Sequence, residues 1–98
     1  MVYKIIWTDP AIDDLKEVAD YISEEDPVAA ERLVLGLIDH AEKLEQFPRR
    51  GKVYQHRNRE NVHDLPYRGY RIFYAVLDEN NTVEILHIWH GAKDEPKL

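Results

Sequence analysis

The sequence predicts an α+β domain in which an antiparallel pair of helices covers one face of a mainly antiparallel sheet. Three observations carry this. Two cap-plus-proline signals, Thr8-Asp9-Pro10 and Asp26-Pro27, each open a run of apolar residues at helical spacing. Only a few residues separate the two runs, so the helices double back on each other. The C-terminal half then alternates its side chains in segments of strand length around a turn at Asp78-Glu79-Asn80-Asn81. Strand, helix, helix and three strands is an order that buries apolar surface by laying the helices on one side of the sheet.

The first strand runs from Val2 to Trp7, with Tyr3, Ile5 and Trp7 on one face and Val2, Lys4 and Ile6 on the other. The first helix starts with Thr8 or Asp9 as cap and Pro10 in the first turn, where a missing N–H costs nothing. Asp9, Asp13 and Asp14 suit the positive end of its dipole. Its apolar stripe is Ala11, Ile12, Leu15, Val18, Ala19 and Ile22, ending near Glu24. The second helix follows Asp26-Pro27 with Ala30, Leu33, Val34, Leu37, Ile38, Ala41, Leu44 and Phe47 inward, and Pro48 stops it.

Arg49 to Asn61 is polar and basic with no period, which predicts an exposed loop. Val62 to Tyr67 is a short strand interrupted by Pro66. Tyr70 to Leu77 sets Tyr70, Ile72, Tyr74 and Val76 against Arg71, Phe73, Ala75 and Leu77, so both faces are largely apolar. Asn81 suits the left-handed backbone that a hairpin turn needs. Thr82 to His90 sets Val83, Ile85, His87 and Trp89 against Glu84, Leu86, Ile88 and His90, and Gly91 to Leu98 is a polar tail. The first strand joins the sheet at an edge or in the middle, and a parallel pairing is open to it. The length of 98 residues fits a single domain, 1–98.

Composition narrows the function classes. There is no cysteine, which excludes disulfides and thiolate metal sites and fits a reducing compartment. The apolar run before Trp7 is too short for a signal segment or a membrane span. The expectation is a cytoplasmic protein with no membrane association. Net charge is −6, unevenly placed: Met1–Pro48 holds 12 acids and 4 bases, whereas Arg49–Val76 holds 7 bases and 2 acids. An acidic protein is a poor general nucleic-acid binder, because phosphate contacts supply most non-specific affinity, but a local basic surface can still meet an anionic partner. His87 and His90 are three apart on a strand and face opposite sides, with no third ligand in view, so no metal and no cofactor are expected.

The order of short motifs is more specific than the order of elements. Asp13-Asp14-Leu15, Asp20-Tyr21-Ile22 and Asp26-Pro27-Val28-Ala29-Ala30 stand in the first half, followed by Leu44, Pro48 and Gly51. The second half has Leu65, Tyr70-Arg71-Ile72-Phe73-Tyr74, and Val83-Glu84-Ile85-Leu86-His87-Ile88-Trp89-His90-Gly91-Ala92-Lys93. Almost end to end, this resembles the ParE-type plasmid-stabilisation toxins of the RelE/ParE superfamily. The resemblance implies a growth-inhibiting toxin of a type II toxin–antitoxin system, linked to plasmid stabilisation or stress response and held inactive by a cognate antitoxin. It leaves the oligomeric state open, a homodimer included. Two activities occur in the superfamily: RelE-like members cleave messenger RNA on the ribosome without a metal, and ParE-like members inhibit DNA gyrase.

Metal-free RNA cleavage needs a base for the 2′-OH, cations for the phosphoryl oxygens and an acid for the leaving oxygen. Aligned on the tyrosine–arginine strand, the RelE-like catalytic arginine falls on Pro66, and the C-terminal catalytic tyrosine falls at or beyond Leu98. A nuclease would then rely on Arg68 or Arg71 as phosphate clamp and His90 as acid or base. The ParE-like reading is preferred, with Arg59, Arg68, His87, His90 and Lys93 as the surface for target or antitoxin. A third reading is an antitoxin-binding module without toxicity.

Each of these residues also has an ordinary reading. His87 fits a hydrogen-bonded core histidine. Arg71, interrupting an apolar strand, fits an ion pair with Asp14 or Glu84. Arg68 and the Arg49–Arg59 run fit solvated loop charges. Tyr67, Tyr70 and Tyr74 fit sheet packing.

Overall fold

The structure, a computed structural model, describes residues 2–55 and 59–91. The chain forms β1 (Lys4–Trp7), α1 (Asp9–Ser23), α2 (Pro27–Glu42), β2 (Lys52–Val53), β3 (Val62–Tyr67), β4 (Tyr70–Leu77) and β5 (Thr82–His90). Both helix starts are capped as expected. The Thr8 side chain accepts from the Ala11 N–H, and Asp26 Oδ1 accepts from the Ala29 N–H at 3.1 Å, each satisfying a donor that the helix itself leaves open.

The sheet order is β1-β5-β4-β3-β2. β1 lies at one edge, parallel to β5, with Ile5 opposite Val83 and Trp7 opposite Ile85; all other pairings are antiparallel. The β3–β4 connection is a two-residue turn, Arg68 (φ +46°) and Gly69 (φ +85°). Positive φ at both positions marks the mirror-image turn whose twist matches that of the strands it joins. Pro66 is tolerated for a reason visible in the register. The Val62 carbonyl accepts from the Tyr54 N–H on the β2 side, so Asp64 and Pro66 turn their backbones the same way, and β2 pairs only with His63 and Asp64. Pro66 therefore stands where no ladder bond is asked of it.

The helices bury one face of the sheet. Ala11, Leu37, Ala41 and Leu44 pack on Leu65, Ile72, Tyr74, Val76, Val83, Ile85 and Ile88. On the opposite face Val62, Phe73, Ala75 and Leu86 form a smaller cluster flanked by Tyr54 and Trp89. The alternation predicted for β4 holds on both faces.

Four expectations need correction. Lys52–Val53 is a short strand inside the segment read as loop. Phe47 is 63 % exposed, because α2 ends at Glu42 and a 3₁₀ turn at Lys43–Glu45 takes the chain off the helical phase. Ile12 is 38 % exposed at the margin of its stripe. In β5 a bulge breaks the alternation: Phe73 faces His87 and Tyr74 faces Ile85, so Leu86 is the extra residue. Val83, Ile85 and Ile88 consequently share the helix side, while Leu86, His87 and Trp89 belong to the other face. Among the described residues no helix is long and apolar enough to cross a membrane.

Candidate functional site

Arg71 lies on the face away from the helices, where it is opposite Trp89 in register. Its Nε and Nη2 donate to Asp64 Oδ2 at 2.8 and 2.5 Å, and its guanidinium sits 4.8 Å from the Phe73 ring centroid and 5.8 Å from that of Tyr54. The two side chains are 25 % and 18 % exposed, so the pair is largely shielded from water. Arg71 is thus paired as a structural reading requires, but with Asp64 rather than with Asp14 or Glu84. Glu84 instead accepts from Arg59 at 2.8 Å.

Asp14 has a different role. β1 has four residues and β5 nine, so β5 runs on past its parallel partner. There Asp14 Oδ2 accepts the Ile88 N–H at 3.0 Å and meets His87 Nδ1 at 2.9 Å. Nearby, Thr8 Oγ1 donates to the Ile85 carbonyl at 2.7 Å, beside the bulge. One carboxylate on α1 therefore satisfies a strand edge and orients an imidazole, and His87 is a part-buried, hydrogen-bonded residue that also meets the Trp89 ring edge-on at 6.1 Å.

Arg68 and His90 come to one end of the molecule. The Gly91 N–H donates to the Gly69 carbonyl at 2.7 Å, which seats the end of β5 against the β3–β4 turn. The Arg68 guanidinium lies 5.6 Å from the Tyr67 ring centroid, and the His90 ring meets Tyr70 edge-on at 5.2 Å. Tyr67 and Tyr70 both pack against the helix-side core. His90 is therefore on the opposite side of the sheet from Arg71. Lys93 lies outside the described residues, as does Arg57.

The basic segment is less cationic in space than in sequence. Arg49 is paired with Asp78, which also accepts from the Tyr3 hydroxyl at 2.7 Å; these two hydrogen bonds, Tyr3 first, hold the Asp78 carboxyl below its usual range. With Arg59 and Arg71 also paired, Arg50, Lys52 and Arg68 are left without an ion-pair partner among the described residues.

A groove of about 480 Å³ lies at the same end as Arg68 and His90. Asp14, Glu17, Val18 and Tyr21 of α1, at the i, i+3, i+4, i+7 spacing of one helix stripe, form one wall. Tyr70, Ile88, Trp89 and His90 form the other. Burial, reinforced by the neighbouring Tyr21, raises the Tyr70 hydroxyl above the ordinary tyrosine range. Sequence reasoning missed Asp14, Glu17 and Tyr21 as site residues. The available signal was a polar-aromatic stripe on α1 beside the apolar one.

Two helices stacked on a five-stranded, mostly antiparallel sheet is the architecture of bacterial toxin–antitoxin toxins in solved structures. The chain is similar to a chain of the RelBE2 toxin–antitoxin complex of Mycobacterium tuberculosis, with a TM-score of 0.72 and 25% identity over 92% of this chain and 99% of that one. It also shares its fold with a chain of the chromosomal ParDE system of P. aeruginosa, with a TM-score of 0.74 and 21% identity over 91% and 96% of the two chains. In sequence it is 37% identical over 90 residues to Toxin RelE2 of Caulobacter vibrioides, covering 92% of this chain and 97% of the relative. Residues 5–95 match the family described as ParE toxin of the type II toxin–antitoxin system, parDE, and the chain belongs to that family.

Proposed function

We propose that this toxin acts by binding and inhibiting an essential target of the DNA gyrase type, without cleaving RNA, and that a cognate antitoxin neutralises it. The observation that carries this reading is the state of Arg71. It is neutralised by Asp64 and lies on the opposite side of the sheet from His90, so of the two candidate phosphate clamps only Arg68 shares an end of the molecule with His90, and the second cation of a ribonuclease site is withdrawn to the other face. A metal-free ribonuclease needs its cation and its proton-transfer group within reach of the same phosphodiester. The pairing of Arg49 and Arg59 further weakens any cationic track for RNA. Arg68 and His90, together at the turn end, are the exposed polar groups best placed to touch a target, with Lys93 following in sequence.

The test is a purified gyrase supercoiling assay beside a ribosome-dependent RNA cleavage assay. Inhibition of supercoiling without new RNA ends supports the proposal; ribosome-dependent cleavage with normal supercoiling overturns it. One observation favours the nuclease alternative: Asp14 fixes His87 Nδ1, which would leave Nε2 as the proton-transfer atom. In that case His87→Gln, and not His90→Gln, would abolish cleavage.

A further inference from the structure

We propose that the groove between α1 and the ends of β4 and β5 receives a basic, partly apolar segment of the antitoxin, one of whose arginine or lysine side chains enters between Tyr21 and Tyr70 toward Glu17. The proposal rests on the toxin reading and adds to it the docking surface and the chemistry of what docks there.

The groove offers three things together. Its apolar lining includes Val18 of α1 and Ile88 of β5. Its rim carries Tyr21, which is 74 % exposed, an unusual outlay of aromatic surface for a residue with nothing to cover it. The Glu17 carboxylate, on the same stripe, has no hydrogen-bond or ion-pair partner among the described residues. A carboxylate and two tyrosines lining one groove suit a guanidinium or ammonium group, which carboxylates and aromatic faces both attract.

Charge selects among occupants. α1 carries Asp9, Asp13, Asp14, Glu17 and Asp20 against Lys16 alone. That field repels a phosphate backbone and an acidic peptide and favours a cationic segment. A segment of alternating basic and apolar residues would match the wall, its apolar side chains on Val18 and Ile88 and its cation at Glu17. A partner seated there would also lie over His90, the exposed histidine of the turn end, so occupancy and masking of that end would coincide.

The test is calorimetric titration of the purified chain with the antitoxin encoded beside it, at several salt concentrations. Glu17→Lys and Tyr21→Ala change exposed side chains, with Glu25→Lys as a control at the α1–α2 connection. The expected result is a Kd raised at least tenfold by Glu17→Lys and by Tyr21→Ala, with Glu25→Lys within twofold of wild type, and a shallower salt dependence for Glu17→Gln. Wild-type affinity in both groove variants overturns the groove while leaving the toxin reading intact. Failure of the wild-type chain to bind the antitoxin overturns the antitoxin as its neutralising partner and this proposal with it. A chain that dimerises alone in sedimentation, and loses the dimer on Glu17→Lys, assigns the groove to a second copy and overturns the antitoxin as its occupant.

Discussion

Gly36 stands inside α2, where glycine is normally a defect. Replacing such a glycine by alanine in a helix interior stabilises by about 0.8–1 kcal/mol. Here the opposite sign is expected. A Cβ at Gly36 would lie 2.1 Å from the Tyr67 hydroxyl oxygen, 2.8 Å from its Cζ and 3.2 Å from Cε2, where ordinary contact begins at 3.4 Å. The ring cannot simply slide aside. It packs on the helix-side core, meets the His40 ring at 4.9 Å with a 39° tilt and carries the Arg68 guanidinium on its face. Overpacking of this kind costs about 1–3 kcal/mol, enough to outweigh the helix gain. Gly36→Ala should therefore lower stability by up to roughly 2 kcal/mol once both effects act together. In a Tyr67→Ala background the same change should raise stability by about 0.8–1 kcal/mol, because only the helix effect remains. Urea unfolding of the four proteins, followed by circular dichroism, reads this sign reversal directly. Stabilisation by Gly36→Ala in the wild-type background would refute the reasoning.

Arg68→Gly should raise the urea midpoint, since a non-glycine residue at φ +46° carries a cost of about 1 kcal/mol that glycine does not. Asp64→Asn should lower stability by about 1–3 kcal/mol by leaving the part-buried Arg71 without its charged acceptor, and Arg71→Met in that background should recover part of the loss in a thermal melt. The His40 imidazole is held below its usual range, first by burial and then by Arg50 and Lys43. Its neutral form is the one favoured by folding, so stability should fall as pH drops through and below 6.5, and His40→Gln should remove that part of the decline in melts between pH 8 and pH 5.

Most of the fold was legible because its signals are local. Thr8 and Asp26 cap their helices, Asn81 takes the left-handed position, and the two faces of β4 follow from simple alternation. What was not legible depends on registers and on partners far away in the chain. The bulge at Leu86 leaves no mark in the sequence, because Leu86 is as apolar as its neighbours, yet it moves His87 to the other face from Ile85. The partner of Arg71 could not be chosen among Asp14, Glu84 and Asp64 without the β3–β4 register, which sets Asp64 opposite Phe73 and so diagonal to Arg71. The charge of the 49–76 segment was read correctly as a sum and misleads as a surface, because Asp78 and Glu84, which neutralise Arg49 and Arg59, lie beyond its end.

The inequality of β1 and β5 links these features. β5 leaves part of its edge uncovered, and an open edge must be paired or capped. α1 does this through Asp14, which requires the helix to lie close along the last residues of β5. That closeness brings the 14-17-18-21 stripe to face Tyr70 and His90 and so creates the groove. The same carboxylate also holds His87 Nδ1, so the ring orientation and the position of the groove wall both depend on Asp14. Asp14 can thus be damaged in two separable ways. Asp14→Asn keeps an acceptor for the Ile88 N–H and gives up the charge beside His87, whereas Asp14→Ala gives up both and frees the edge. If the edge bond governs the groove, the asparagine variant should hold antitoxin nearly as well as wild type and the alanine variant should not. Equal losses in the two would instead place the charge itself at the centre of recognition.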